Sequence, residues 1–232
     1  VQWGTGIVGR HAGRAVIEHP DMELVGCFAH GREKIGQDAG LLCGCAPIGV
    51  PATDDLDQVI AARPDVVLHM ASRWDVDAIV KMLEAGINVI TIVSFVTGGG
   101  YAEGGPERIR EAAMRGNASF FETGIYPGFA NALGLFSTVP CRRIDRLSVF
   151  ESVDATGYPS AETWRSMGFG LPADTPGLEA KLKTLMLMFR DTVQGMAPAL
   201  KVELDDIVFS AEFGTATEDL ALGYMDIPKG MV

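Results

Sequence analysis

The chain has 232 residues, of which 30 are acidic and 19 basic, for a net charge of -11; a field of that sign repels nucleic-acid phosphates and anionic membrane surfaces, so neither is expected as a partner. An apolar content of 47% with 28 glycines and 12 prolines fits a folded globular protein, and no apolar run approaches the roughly 20 residues of a bilayer span. No basic and apolar leader with a cleavage site opens the chain, so a cytoplasmic location is expected.

Residues 1–3 read as the end of a first strand, and a helix is predicted over 10–18, stopped by His19-Pro20. Residues 24–29 form a second predicted strand, and 31–52, rich in glycine with Pro47 and Pro51, read as a long irregular connection. A short helix over 54–61 is capped by the Asp54-Asp55 pair. Val66, Val67, Leu68 and Met70 make the continuous apolar run of a strand buried on both faces. Val76, Ile79, Val80 and Leu83 then recur at helical spacing up to Gly86, which accommodates a left-handed helix end. A buried strand follows over 87–93, a helix opened by Pro106 over 106–115, a strand over 118–123 and a helix over 131–138.

This alternation implies a parallel sheet with crossover helices, an α/β Rossmann doubly wound domain over residues 1–138. Beyond it the pattern is mixed, with strand-like 144–153 and 207–213 and a helix over 178–189 whose Leu178, Leu182, Leu185, Met186 and Phe189 share a face. Residues 139–232 are therefore expected to form a second, α+β domain. The four cysteines are too few and scattered for a disulfide framework, and Cys43-Gly44-Cys45 lacks a second ligand pair at finger spacing. Reduced thiols and no metal are expected.

The segment Gly4-Thr5-Gly6-Ile7-Val8-Gly9 matches the dinucleotide fingerprint G-x-G-x-x-G. Gly4 permits the tight strand-to-helix turn, Gly6 lets a pyrophosphate approach the backbone, and Gly9 lets helix and strand pack closely. The diphosphate would lie on the helix N-terminus, over Gly6 to Val8, where unpaired N–H groups favour an anion. The second strand runs into His30-Gly31-Arg32-Glu33-Lys34, with no acid at the strand end to hold a ribose 2′-hydroxyl. His30 and Arg32, with Lys34, suit the extra phosphate of NADP, NAD being the second choice; the alternative is solvated loop charge. Ala71 and Ser72 after one buried strand, and Thr91 and Val93 at the next, bring backbone groups toward the cofactor ribose and nicotinamide. Pro127 and Gly128, in the turn 124–129, are either nicotinamide contacts or part of a plain β-to-α turn.

With these segments placed, the sequence resembles the dihydrodipicolinate reductase-like oxidoreductases of actinobacteria, relatives of 2,4-diaminopentanoate dehydrogenases and the native amine dehydrogenases. The resemblance rests on Gly4-Thr5-Gly6-Ile7-Val8-Gly9-Arg10, His19-Pro20-Asp21-Met22-Glu23-Leu24-Val25-Gly26, Asp38-Ala39-Gly40, Ala85-Gly86-Ile87-Asn88-Val89, Pro127-Gly128-Phe129 and Met167-Gly168-Phe169-Gly170. It implies an N-terminal Rossmann domain, a second domain for substrate and homodimerisation, and hydride transfer from NAD(P)H to a C=N or C=O carbon. Against that family the chain is expected to be incomplete at both ends. The paired-histidine and lysine motif of true dihydrodipicolinate reductases is missing: His11, His19, His30 and His69 are all separated, so a role in lysine biosynthesis is not expected.

Glu151, on the predicted strand 144–153, is the acid/base candidate, because an apolar strand is a setting that raises a carboxyl pKa toward neutrality. Tyr158 is the candidate proton donor to a developing alkoxide. For both, a plain surface or structural role is the alternative. In the amine dehydrogenases that the chain resembles, a glutamate after the strand leading to the nicotinamide acts on the amine nitrogen, whereas residues 91–97 here contain no carboxylate. Carbonyl or C=C reduction with weak reductive amination is the expected chemistry. The overall expectation is an NAD(P)-dependent oxidoreductase acting on a small amine/ketone-type substrate; the alternative is a non-catalytic dinucleotide sensor.

Overall fold

The computed structural model describes residues 1–71, 75–92 and 104–232, which divide into two compact units, Val1–Phe129 and Ala130–Val232. The first unit holds β1 (Gln2–Trp3), α1 (Ile7–Glu18), β2 (Cys27–Phe28), α2 (Ala39–Leu42), β3 (Ala52–Thr53), α3 (Leu56–Ala61), β4 (Val66–His69), α4 (Val76–Glu84), β5 (Asn88–Thr91), α5 (Gly105–Gly116) and β6 (Phe120–Glu122). The six strands form one sheet in the order β3-β2-β1-β4-β5-β6, every pairing parallel. The chain runs outward from β1 to β3, then returns past β1 to β4 and onward to β6. That reversal leaves a crevice between the carboxyl ends of β1 and β4.

The crossover helices cover both faces of the sheet, and the core follows. On one face Val1, Trp3, Phe28, Val67 and Val89 pack with Val59, Ile79, Met82 and Leu83. On the other, Cys27, Ala29 and Ala52 pack with Leu24 and with Val16 and Ile17 of α1.

Several local devices fix these elements. Asp55 caps α3 and Asp75 caps α4 through side-chain oxygens. Gly86, at φ +81°, supplies the left-handed residue after α4. Asn88 then ties three strand starts together, donating to the Asp65 carbonyl and accepting from the Ser119 N–H. The connection predicted as irregular over 31–52 contains a 3-10 turn (Arg32–Lys34), α2 and the start of β3. It is organised by Asp38, whose carboxylate accepts N–H groups of Gly40, Leu41, Ile48 and Gly49.

The second unit contains α6 (Ala130–Ser137), α7 (Ala161–Ser166), α8 (Leu178–Leu185), α9 (Leu187–Leu200) and an antiparallel pair, β7 (Leu220–Ala221) with β8 (Asp226–Ile227). The helix expected over 178–189 is interrupted at Met186 and continues to Leu200. The strands expected over 144–153 and 207–213 are absent. Both segments have extended-type composition, but neither pairs with a strand among the described residues. Strand propensity reflects packing on a pleated surface, and without a partner ladder it holds nothing. Phe150 is accordingly 90% exposed and Val208 83%.

Candidate functional site

The turn from β1 into α1 stands at the crevice. Gly4 has φ +90°, and a Cβ there would lie 3.0 Å from the Met70 carbonyl oxygen and 3.4 Å from the Ala71 nitrogen. The chain leaving β4 thus lies directly against this turn, and Ala71 itself is buried in the core. A Cβ on Gly9 would collide with the Gly4 carbonyl. Gly6 differs from both, since nothing lies within 4 Å of a Cβ built on it and its φ of -74° suits any residue. Packing therefore does not demand glycine at this position, and the open space lies at the start of α1. That helix begins at Ile7, inside the fingerprint and ahead of the expected residue 10. It has no side-chain cap and no acidic residue in its first turn, so its positive end is left for an external anion. Thr5 is buried, while Ile7 and Val8 are exposed beside the open space.

The end of β2 forms an aromatic step. Trp3 and Phe28 stack with ring centroids 3.6 Å apart, and His30 stands edge-on to Phe28 at 5.2 Å. Beyond it the 3-10 turn turns Lys34 back toward the glycine turn, where its Nζ donates to Thr5 Oγ1 at 3.1 Å. Arg32 is exposed and has no side-chain hydrogen bond or ion pair among the described residues.

The ends of β4, β5 and β6 continue the row. Register aligns Trp3 with His69, His69 with Thr91, and Thr91 with Glu122. His69 and Thr91 are fully buried, with Nδ1 and Oγ1 3.3 Å apart, and burial pushes the imidazole down from 6.5 to about 4, holding it neutral. The Thr91 carbonyl accepts from the Thr123 N–H. The Thr91 side chain therefore supports the strand end from within. Ser72 and Val93 lie outside the described residues. After β6, residues Ile125–Phe129 form a π-helical turn, in which the Phe129 N–H reaches back to the Gly124 carbonyl. Gly128 has φ +134°, and a Cβ on it would press on Thr123 at 3.2 Å. The segment containing Pro127 and Gly128 is thus not a plain β-to-α turn, and π turns of this kind recur at functional sites.

Residues 3–115 match the family model described as dihydrodipicolinate reductase, N-terminus. That segment, just under half of the chain, is similar to the N-terminal part of dihydrodipicolinate reductases. An amine dehydrogenase of Streptomyces virginiae is 33% identical over 225 residues, which are 89% of this chain and 60% of that protein. The 4-hydroxy-tetrahydrodipicolinate reductase of Syntrophotalea carbinolica is 41% identical over 67 residues, 27% of this chain and 25% of that protein. The solved structure of an amine dehydrogenase from Mycobacterium smegmatis superposes with a TM-score of 0.74 at 18% identity, covering 99% of this chain and 70% of that one. The fold is shared. The chain spans about 60% of the length of the Streptomyces protein.

Outside the reductase-type N-terminal segment, the two proposed catalytic residues fare differently from the expectation. Glu151 lies on exposed chain with no strand, so the burial on which its acid/base role rested is not there. Tyr158 sits edge-on to Trp164 at 5.7 Å, and the Trp164 indole N–H donates to its carbonyl. Its ring belongs to an aromatic cluster that Phe169 completes. Features that the sequence alone did not give are the Lys34 bond to Thr5, the buried His69 and the alignment of Glu122 with Thr91. The signal for the last two was available: each closes an apolar strand with a titratable group. All four thiols are free, and burial pushes Cys27 up to about 11, which makes it a poor nucleophile. Among the described residues no cluster of ligating side chains suits a metal ion, and no helix is long and apolar enough to cross a membrane.

Proposed function

We propose that this chain is an NAD(P)-dependent oxidoreductase that moves a hydride between nicotinamide and a C=O or C=N carbon of a small substrate, with NADP(H) preferred. The observation that carries the proposal is the uncapped N-terminus of α1, opening at Gly6 onto the crevice between β1 and β4. A diphosphate there would accept first-turn N–H groups, and Arg32, without a side-chain partner among the described residues, has the fork geometry to take a 2′-phosphate. When bound, the nicotinamide would supply the hydride; the residues Gly4 to Gly9, with Ala71 behind Gly4, would hold the diphosphate.

The match to an amine dehydrogenase across 89% of the chain supports a C=N carbon, whereas the lack of a carboxylate in residues 91–97 supports a carbonyl. For a carbonyl substrate, Tyr158 is the donor offered for the developing alkoxide. The reading includes a cytoplasmic homodimer whose second unit carries substrate and dimer contacts. NADPH and NADH are titrated into the protein, and NADPH oxidation is then followed over a panel of ketones with and without ammonia. Binding with turnover is expected, the ammonia-independent rate being the larger. Binding without turnover on any substrate would make the protein a dinucleotide sensor, and failure to bind either cofactor would overturn the proposal.

A further inference from the structure

We infer that Lys34 is a positioning residue for the phosphate-binding turn, serving NADPH and NADH alike, and not a reader of the 2′-phosphate; the inference rests on the dinucleotide reading above. Lys34 closes the 3-10 turn after β2, and its side chain crosses to the β1–α1 turn. Its Nζ lies 3.1 Å from the Thr5 hydroxyl oxygen and 3.4 Å from the Thr5 carbonyl oxygen. Both acceptors belong to one residue, so a single ammonium fixes the backbone and the side-chain rotamer of Thr5 together. Thr5 is 8% exposed and immediately precedes Gly6, the first residue of the uncapped helix start.

Gly6 has no side chain and no neighbour within 4 Å of a Cβ position. The outer side of the turn therefore has little packing of its own, and the clasp from Lys34 takes over that task one residue away. An ammonium carries three donors. Two are directed at Thr5, while the charge stays next to the positive end of α1, where a diphosphate would feel both. Arg32, two residues earlier on the same turn, makes no comparable bond among the described residues and is left to meet a ligand. The diphosphate is common to both cofactors and the 2′-phosphate to one, so the two cations separate by which affinities they move.

The test uses Lys34→Met, which keeps the stem and removes the ammonium, together with Lys34→Arg and Thr5→Val. Titration with NADPH and with NADH is expected to show both Kd values raised about tenfold in Lys34→Met, with their ratio unchanged. Lys34→Arg should restore much of the loss. Thr5→Val should weaken both cofactors, and combining it with Lys34→Met should cost less than the two losses together, because both remove the bond from the ammonium to the Thr5 hydroxyl. If Lys34→Met proves poorly folded in a thermal melt, Thr5→Val alone decides by the same two titrations. Weakening of NADPH alone would assign Lys34 to the 2′-phosphate and overturn the inference, as would unchanged affinity for both. A parent protein that binds neither cofactor would instead overturn the dinucleotide reading itself.

Discussion

Gly9 lies so close to Gly4 that a Cβ on Gly9 would meet the Gly4 carbonyl oxygen, whereas Gly6 between them faces open space. Two glycines of one motif thus have different physical reasons to be glycine. Gly9→Ala is expected to destabilise the fold by about 1–3 kcal/mol through overpacking against backbone that cannot step aside. Gly6→Val is expected to melt within a few degrees of the parent and to lose cofactor binding. Thermal melts and NADPH titrations of both variants check the pair, and a Gly6→Val protein with parental affinity would contradict the assignment.

Arg32→Ala is expected to weaken NADPH binding by about ten- to a hundredfold, the loss of one or two hydrogen bonds to a charged group, at about 1.5–3 kcal/mol. NADH affinity should hardly move. Calorimetric titration with both cofactors measures this directly, and equal losses, or a parent that prefers NADH, would remove Arg32 from that role.

His69 links acidity to stability. Its folded pKa, lowered by burial to about 4, lies below the ordinary 6.5, so the unfolded chain takes up a proton that the folded chain refuses. Stability is full above about pH 6.5 and falls as the pH drops toward 4, with about 3 kcal/mol at stake from this group. Carboxylates titrate in part of that window as well. The informative comparison is therefore His69→Asn against the parent, in urea unfolding at about pH 7.5 and about pH 4.5. The variant should lose less stability on acidification, and parallel losses would assign the acid response elsewhere.

Asp38 acts in the same sense at lower pH. The surrounding loop desolvates its carboxyl, which alone would raise the pKa, but hydrogen bonds from the Ile48, Gly49, Leu41 and Gly40 N–H groups outweigh this and hold it below the ordinary 3.8. The stabilisation is present above 3.8 and is lost as the pH falls through the folded value. Amide exchange at Ile48 and Gly49 should accelerate on that descent, and in Asp38→Ala it should already be fast at neutral pH. Unaltered exchange in the variant would show that other contacts hold the loop.

The first unit was legible because its signals are local or periodic. Val66 to Met70 and Val76 to Leu83 mark a buried strand and an amphipathic helix without reference to anything distant, and the fingerprint glycines announce the turn between β1 and α1. The strand β3 escaped because Ala52 and Thr53 form only a two-residue rung, specified by the neighbouring β2 and not by their own composition. The same dependence, with the opposite outcome, explains residues 144–153: β-branched and aromatic residues announce a strand, but the ladder partner is a tertiary matter. At the site, sequence identified Arg32 and Lys34, with His30, as a cationic patch. It could not divide their labour, because which of them reaches Thr5 depends on the 3-10 turn.

Trp3 gives the crevice a built-in light source. Its indole is 1% exposed, face to face with Phe28 and 5.7 Å from the His69 ring, and the next residue is Gly4. An indole so enclosed emits at shorter wavelength than one in water, and a charged imidazole beside it would dim the emission. With Trp74 and Trp164 replaced, the remaining fluorophore would signal both the proton on His69 and the arrival of an absorbing ligand over the adjoining turn, with no dye attached to the protein.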